Sequence, residues 1–96
     1  MTTAVHKYPV LIADIFEVSM PQGARPLCVQ LQNGRPHLWA RVTIDPSHPI
    51  VLRRFRLAGT GHPLETELLK CDGEYVGTFQ LRDGARVYHV FDCGEG

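Results

Sequence analysis

Apolar and polar residues alternate along most of this chain, and turn-forming residues interrupt the alternation about every ten positions. Leu38, Ala40, Val42 and Ile44 occupy every second place, with Trp39, Arg41 and Thr43 between them. A period of two sends these sets to opposite faces of a strand. Before Asn33-Gly34, Leu27, Val29 and Leu31 alternate in the same way with Cys28, Gln30 and Gln32. Asn-Gly readily supplies the two positive φ angles of a tight turn, so residues 26–44 predict a β-hairpin with one apolar face.

A second hairpin is expected from residues 74–81 and 85–91 through Asp83-Gly84. It sets Tyr75, Phe79 and Leu81 on one face and Val87, His89 and Phe91 on one face of the partner strand. Residues 51–57 read as a strand with Val51, Phe55 and Leu57 on one side and Leu52, Arg54 and Arg56 on the other. Arg53 interrupts the apolar side and points to a bulge or an edge position. Residues 4–10 and 14–20 predict two further strands separated by a kink near Pro9, since proline cannot donate to a central ladder. Only residues 63–70 carry a helical spacing, through Leu64, Leu68 and Leu69 with Glu65 and Glu67. Two turns of helix would depend on packing against the sheet.

The expected fold is all-β or β-dominated: six or seven short antiparallel strands in a small barrel or sandwich, with at most one short helix near 63–70. One domain is expected over residues 1–96, with an ordered core of about 5–92. Alternation reports faces and not neighbours, so strand order and the choice between barrel and sandwich stay open.

Composition supports a folded chain: 44% of the 96 residues are apolar and 21% charged, enough apolar content for one modest core. Ten Lys and Arg balance ten Asp and Glu, so no global field draws the chain to nucleic acid or an anionic membrane, and self-association meets little repulsion. The apolar stretch 10–13 is far below the roughly 18 residues that span a bilayer, and residues 1–5 lack the basic start of a secretory signal. Cys28, Cys71 and Cys93 form no CxxC pair, and an odd count argues against a fully paired disulfide framework. The expected compartment is a reducing cytoplasm.

Several phrases together resemble a family of short uncharacterised proteins of tailed phages and phage-derived bacterial loci. They are Lys7-Tyr8-Pro9, PxGA at 21–24, VQLQNGRPHL at 29–38 with Trp39-Ala40, RFRLAGTGHP at 54–63, Gly77-Thr78-Phe79-Gln80, and YHVF at 88–91. The resemblance implies a phage context and no catalytic residues. Short accessory phage proteins are more often binders of a host component than enzymes, an argument by association.

The chemistry-bearing constellations are sparse. In Gly59-Thr60-Gly61-His62-Pro63, two glycines allow converging amides, and such a nest can hold phosphate or carboxylate. The simpler reading is a sharp strand exit, and it is preferred because no Lys follows and no longer phosphate-loop pattern is present. Arg53, Arg54 and Arg56 around Phe55 could serve a single-stranded nucleic acid, though a solvated strand face is the preferred reading. His6, His37, His48, His62 and His89 stand at no zinc-ligand spacing, and no metal or cofactor is expected. His89, between Val87 and Phe91, reads as a core histidine. No GxSxG elbow and no paired carboxylates occur, and Cys71 reads as an ordinary turn cysteine.

The leading expectation is therefore a non-enzymatic, phage-derived accessory protein that binds a host protein, with a host defence system as one target. A nucleotide or single-stranded nucleic-acid module and a virion or tail part are the alternatives. Docking is expected through Trp39, Arg41, Arg54 and Arg56, since Trp and Arg dominate interface energies. Trp39 either stands exposed beside Arg41 or fills a second core layer.

Overall fold

A computed structural model describes residues 1–64 and 73–95. Seven strands follow in order: β1 (Thr2–Pro9), β2 (Ile15–Pro21), β3 (Arg25–Gln32), β4 (Arg35–Ile44), β5 (Ile50–Gly59), β6 (Glu74–Leu81) and β7 (Arg86–Glu95). They form two antiparallel sheets, β1-β4-β3 and β2-β5-β7-β6, packed as a sandwich. There is no helix among the described residues; the expected helix lies mostly outside them, as do Cys71 and Asp72.

The Asn33-Gly34 hairpin is present as expected. Asn33 and Gly34 both have positive φ, 53° and 76°, and Gln32 pairs with Arg35 across the turn. Leu38, Ala40 and Val42 of β4 point into the core at 0%, 0% and 2% exposure. They share one core with Phe55 of β5, which is wholly buried and stacks on Phe16 of β2, with ring centroids 5.3 Å apart. Pro9 ends β1 at a sheet edge, where its missing N–H costs no ladder bond, and the chain then crosses to the other sheet.

Three bulges change which side chains face inward. The register of β3 slips between Pro26 and Cys28, so Leu27 is displaced outward and is 46% exposed, while Val29 is 4% exposed. Leu27, Val29 and Leu31 therefore do not form the single buried face that strict alternation predicts. A slip between Tyr75 and Gly77 in β6 likewise turns Tyr75 to the outer face, away from Phe79. The third interrupts β7 between Asp92 and Gly94. The second hairpin closes through four residues, 82–85, and not the expected two, because Arg82 and Asp83 also adopt positive φ and Leu81 pairs with Arg86.

Arg53 lies in a central strand and not at an edge. It points inward at one end of the sandwich, where Asp92 accepts both its Nε (2.9 Å) and Nη2 (2.7 Å) donors and Glu95 lies 3.7 Å away. Asp92 beside it holds the guanidinium above its ordinary pKa. At the neighbouring corner, β3 and β6 come so close that a Cβ on Gly77 would sit 3.0 Å from Val29 Cγ1.

Candidate site on the outer face of the three-stranded sheet

Directly opposed residues of an antiparallel pair share a face, so the register identifies Trp39's neighbours. Lys7 of β1 and Cys28 of β3 flank Trp39, Gln30 flanks His37, and Val5 and Arg25 flank Arg41. Trp39 is half-buried on this outer face, its ring 5.9 Å from that of His37. Arg41 donates from Nε and Nη2 to Thr3 Oγ1 at 3.3 Å, and Lys7 Nζ reaches across the face to Gln32 Oε1.

Charge is segregated between the sheets. The strands of the three-stranded sheet contain Lys7, Arg25, Arg35 and Arg41 and no Asp or Glu. Those of the four-stranded sheet contain four cations, Arg53, Arg54, Arg56 and Arg86, against four carboxylates, Glu17, Glu74, Asp92 and Glu95. Among the described residues, none of Lys7, Arg25, Arg35 and Arg41 forms a salt bridge. The sequence reading missed Lys7, Arg25, Arg35, His37, Gln30 and Gln32 as members of the face. One signal was legible: the chain has no carboxylate between Glu17 and Asp45.

The four expected docking residues do not form one cluster. Trp39 and Arg41 lie on the three-stranded sheet, whereas Arg54 and Arg56 lie on the outer face of the other. Arg54 is exposed opposite Glu17. Arg56 is only 5% exposed: it donates to the carbonyls of Asp14, Leu57, Pro63 and Leu64, and Asp14 Oδ1 lies 3.4 Å from Nη1. The chain at Pro63 and Leu64 passes over that face, which removes Arg56 from any docking surface.

The Gly59, Thr60, Gly61 and His62 loop is not an amide nest. Thr60 N donates to Val87 O and His62 N to Gly59 O, so two amides that would converge on an anion are already used. A Cβ on Gly59 would sit 2.9 Å from Nδ1 of the exposed His62 ring, which would swing aside to admit it. With Arg86, Val87 and Tyr88 the loop lines an open cleft of about 310 Å³.

Beside this cleft, His89 is not a core residue. It lies half-buried on the outer face, with Thr60 Oγ1 2.7 Å from Nε2, and Tyr75 Oη 2.9 Å and Thr78 Oγ1 3.2 Å from Nδ1. The Thr60-His89 contact has the reach of a nucleophile-base pair, yet the Tyr75 and Thr78 hydroxyls stand where a carboxylate would orient the ring, and the Thr60 and His62 amides are already bonded to carbonyls. The arrangement ties the loop to β6 and β7.

Cys28 is a free, half-buried thiol beside Trp39, and Cys93 is disulfide-bonded, which takes away the support that the cysteine count lent to a reducing compartment. Among the described residues, no three His, Cys, Asp or Glu side chains gather where a metal ion could be held, and no helix is long and apolar enough to cross a membrane. No curated protein and no solved structure matches the chain. Residues 1–95 match the family described as Domain of unknown function (DUF7352), and the chain belongs to that family.

Proposed function

We propose that this protein is a non-enzymatic binding domain that docks an anionic macromolecule on the outer face of its three-stranded sheet. The observation that carries this reading is the grouping of four cations without salt bridges around Trp39 on strands that contain no carboxylate. A face of one sign raises the local concentration of oppositely charged partners and speeds encounter even when the whole chain is neutral. The phage resemblance supports a partner in an infected host cell, a defence component among them. Action in the host cytoplasm belongs to the same proposal and rests on that resemblance alone.

Retention on immobilised heparin tests the assignment of the face. Arg41→Glu and Arg54→Glu make the same charge change on opposite sheets. The Arg41→Glu protein is expected to elute at clearly lower salt than wild type, with Arg54→Glu close to wild type. Equal shifts in the two variants would overturn the reading.

A further inference from the structure

The binding-domain reading leaves the partner's chemistry open, and the arrangement of this face narrows it. Its centre is an aromatic ladder, His37 and Trp39 two residues apart on the middle strand. Around the ladder stand cations, with Lys7 on one side strand, Arg25 on the other, and Arg35 and Arg41 along the middle one. Gln30 and Gln32 add amides that can donate to or accept from a base edge. A stacking platform ringed by cations on an open sheet suits unpaired bases joined by phosphates, since every base has a face to stack while the backbone needs positive charge. An acidic protein surface would also use Trp39 and the arginines, but the two-residue spacing of the half-buried His37 and Trp39 along one strand, with Arg35 and Arg41 at either end, matches a run of stacked bases joined by phosphates.

The bulge in β3 strengthens this assignment. Cys28 faces outward beside Trp39, so strict alternation would turn Arg25 inward. The slip at Leu27 sets Pro26 opposite Ala40 and Arg25 opposite Arg41, on the outer face. Bulges re-aim side chains in this way. The result is two arginines directly opposed with no carboxylate on any strand of the sheet, a pairing that destabilises a sheet by itself. Such a local conflict is expected where function requires it, and a phosphate between the guanidiniums would relieve it.

We infer that the outer face of the β1-β4-β3 sheet is a single-stranded nucleic-acid platform, on which bases stack on Trp39 and His37 and phosphates engage Lys7, Arg25, Arg35 and Arg41. The inference rests on the binding-domain reading. It goes beyond it by naming the partner's chemistry.

Trp39 is the chain's only tryptophan, so intrinsic fluorescence reports directly on the platform. Titration with oligothymidylate about 12 nucleotides long, within the site sizes known for sheet platforms, is expected to quench that emission. Binding should weaken with salt at a log-log slope of up to about −3, the value for four single-strand phosphate contacts. With labelled oligonucleotide and anisotropy as the readout, Trp39→Ala is expected to weaken binding about 5- to 100-fold, the cost of losing one stacked base. Trp39→Phe keeps both packing and stacking and is expected to retain most of it, so a poorly folded Ala variant leaves the stacking test intact. Arg25→Thr is expected to weaken binding several-fold while raising Tm by about 2 °C, because it removes a like-charge pair. A residue with a merely structural role would lower both.

No quenching by the oligonucleotide, or equal or tighter binding of polyglutamate, would overturn this inference while leaving the face's heparin dependence, and with it the binding-domain reading, intact. Loss of that heparin dependence would remove both.

Discussion

Arg56 offers the sharpest test of which arginines are structural. Its guanidinium spans three segments at once: the carbonyl of Asp14 before β2, that of Leu57 in its own strand, and those of Pro63 and Leu64 in the loop above. Truncation to Ala leaves four carbonyls that lose a charged donor. A buried acceptor left unsatisfied costs about 1–3 kcal/mol. Two effects reduce the sum: water can enter the space vacated by the side chain, and the cost of holding a cation at 5% exposure disappears. Asp14 adds little to the loss, because its side chain is 81% exposed and water replaces the cation there.

The net expectation for Arg56→Ala is a destabilisation of about 3 kcal/mol, or about 15 °C in Tm for a domain of this size. Arg56→Lys should recover only a minor part, since one ammonium cannot fork toward carbonyls on several sides. Arg54→Ala, two residues away on the same face but exposed and without a salt bridge, should stay within about 0.5 kcal/mol of wild type. Urea unfolding followed by Trp39 fluorescence and by circular dichroism measures all three through the midpoint at constant m. An Arg56→Ala midpoint within about 0.5 kcal/mol of wild type would refute the structural role.

Three further outcomes follow from the same interior. Asp92→Leu leaves Arg53, at 14% side-chain exposure, with only Glu95 3.7 Å away and should cost about 2 kcal/mol, whereas the double change Arg53→Met/Asp92→Leu should restore most of it, as measured by a double-mutant cycle with Arg53→Met. Gly77→Ala places a Cβ 3.0 Å from Val29 Cγ1 and should cost about 1–2 kcal/mol, with a coupling energy above about 0.5 kcal/mol when combined with Val29→Ala; additivity would refute the close β3-β6 contact. Burial raises the Tyr8 phenol above 10.0, so the unfolded chain ionises first and stability is lost as pH rises through that region; Tyr8→Phe should flatten the fall measured between about pH 9 and about pH 11.

The parts of this fold legible in the sequence are those governed by local rules. Leu38, Ala40 and Val42 alternate without interruption, and Asn33-Gly34 can hardly do anything but turn, so β3 and β4 follow from their own residues. The side chains assigned to the wrong face are those that bulges move. A bulge adds one residue to one strand only; Pro26 and Gly77, residue types that accompany bulges, flank the two extra positions but do not by themselves say which residue is added, so Leu27 and Tyr75 followed alternation to the wrong side. Arg56 was misassigned for a different reason. Its alternation is correct and it does point outward, but burial there comes from residues 63 and 64 folding back over the strand, a long-range event to which a period of two is blind.

The net charge of zero misled in the same manner. It is a sum over the whole chain, and a partner meets one face. The carboxylates that balance the total lie in the four-stranded sheet or in connections between strands, so they neutralise the sum without neutralising the face around Trp39. Screening sharpens the distinction, because at physiological ionic strength a charge is felt over roughly 8 Å. Sheets in a sandwich pack about 10 Å apart, so Glu17 on the far outer face lies beyond that range, whereas Asp92 and Glu95 point inward and are held by Arg53 and the Gly23 amide. The alternation of the β4 hairpin combined with the one bulge at Leu27 is what brings Lys7, Arg25, Arg35 and Arg41 to the same side, where none of them forms a salt bridge among the described residues.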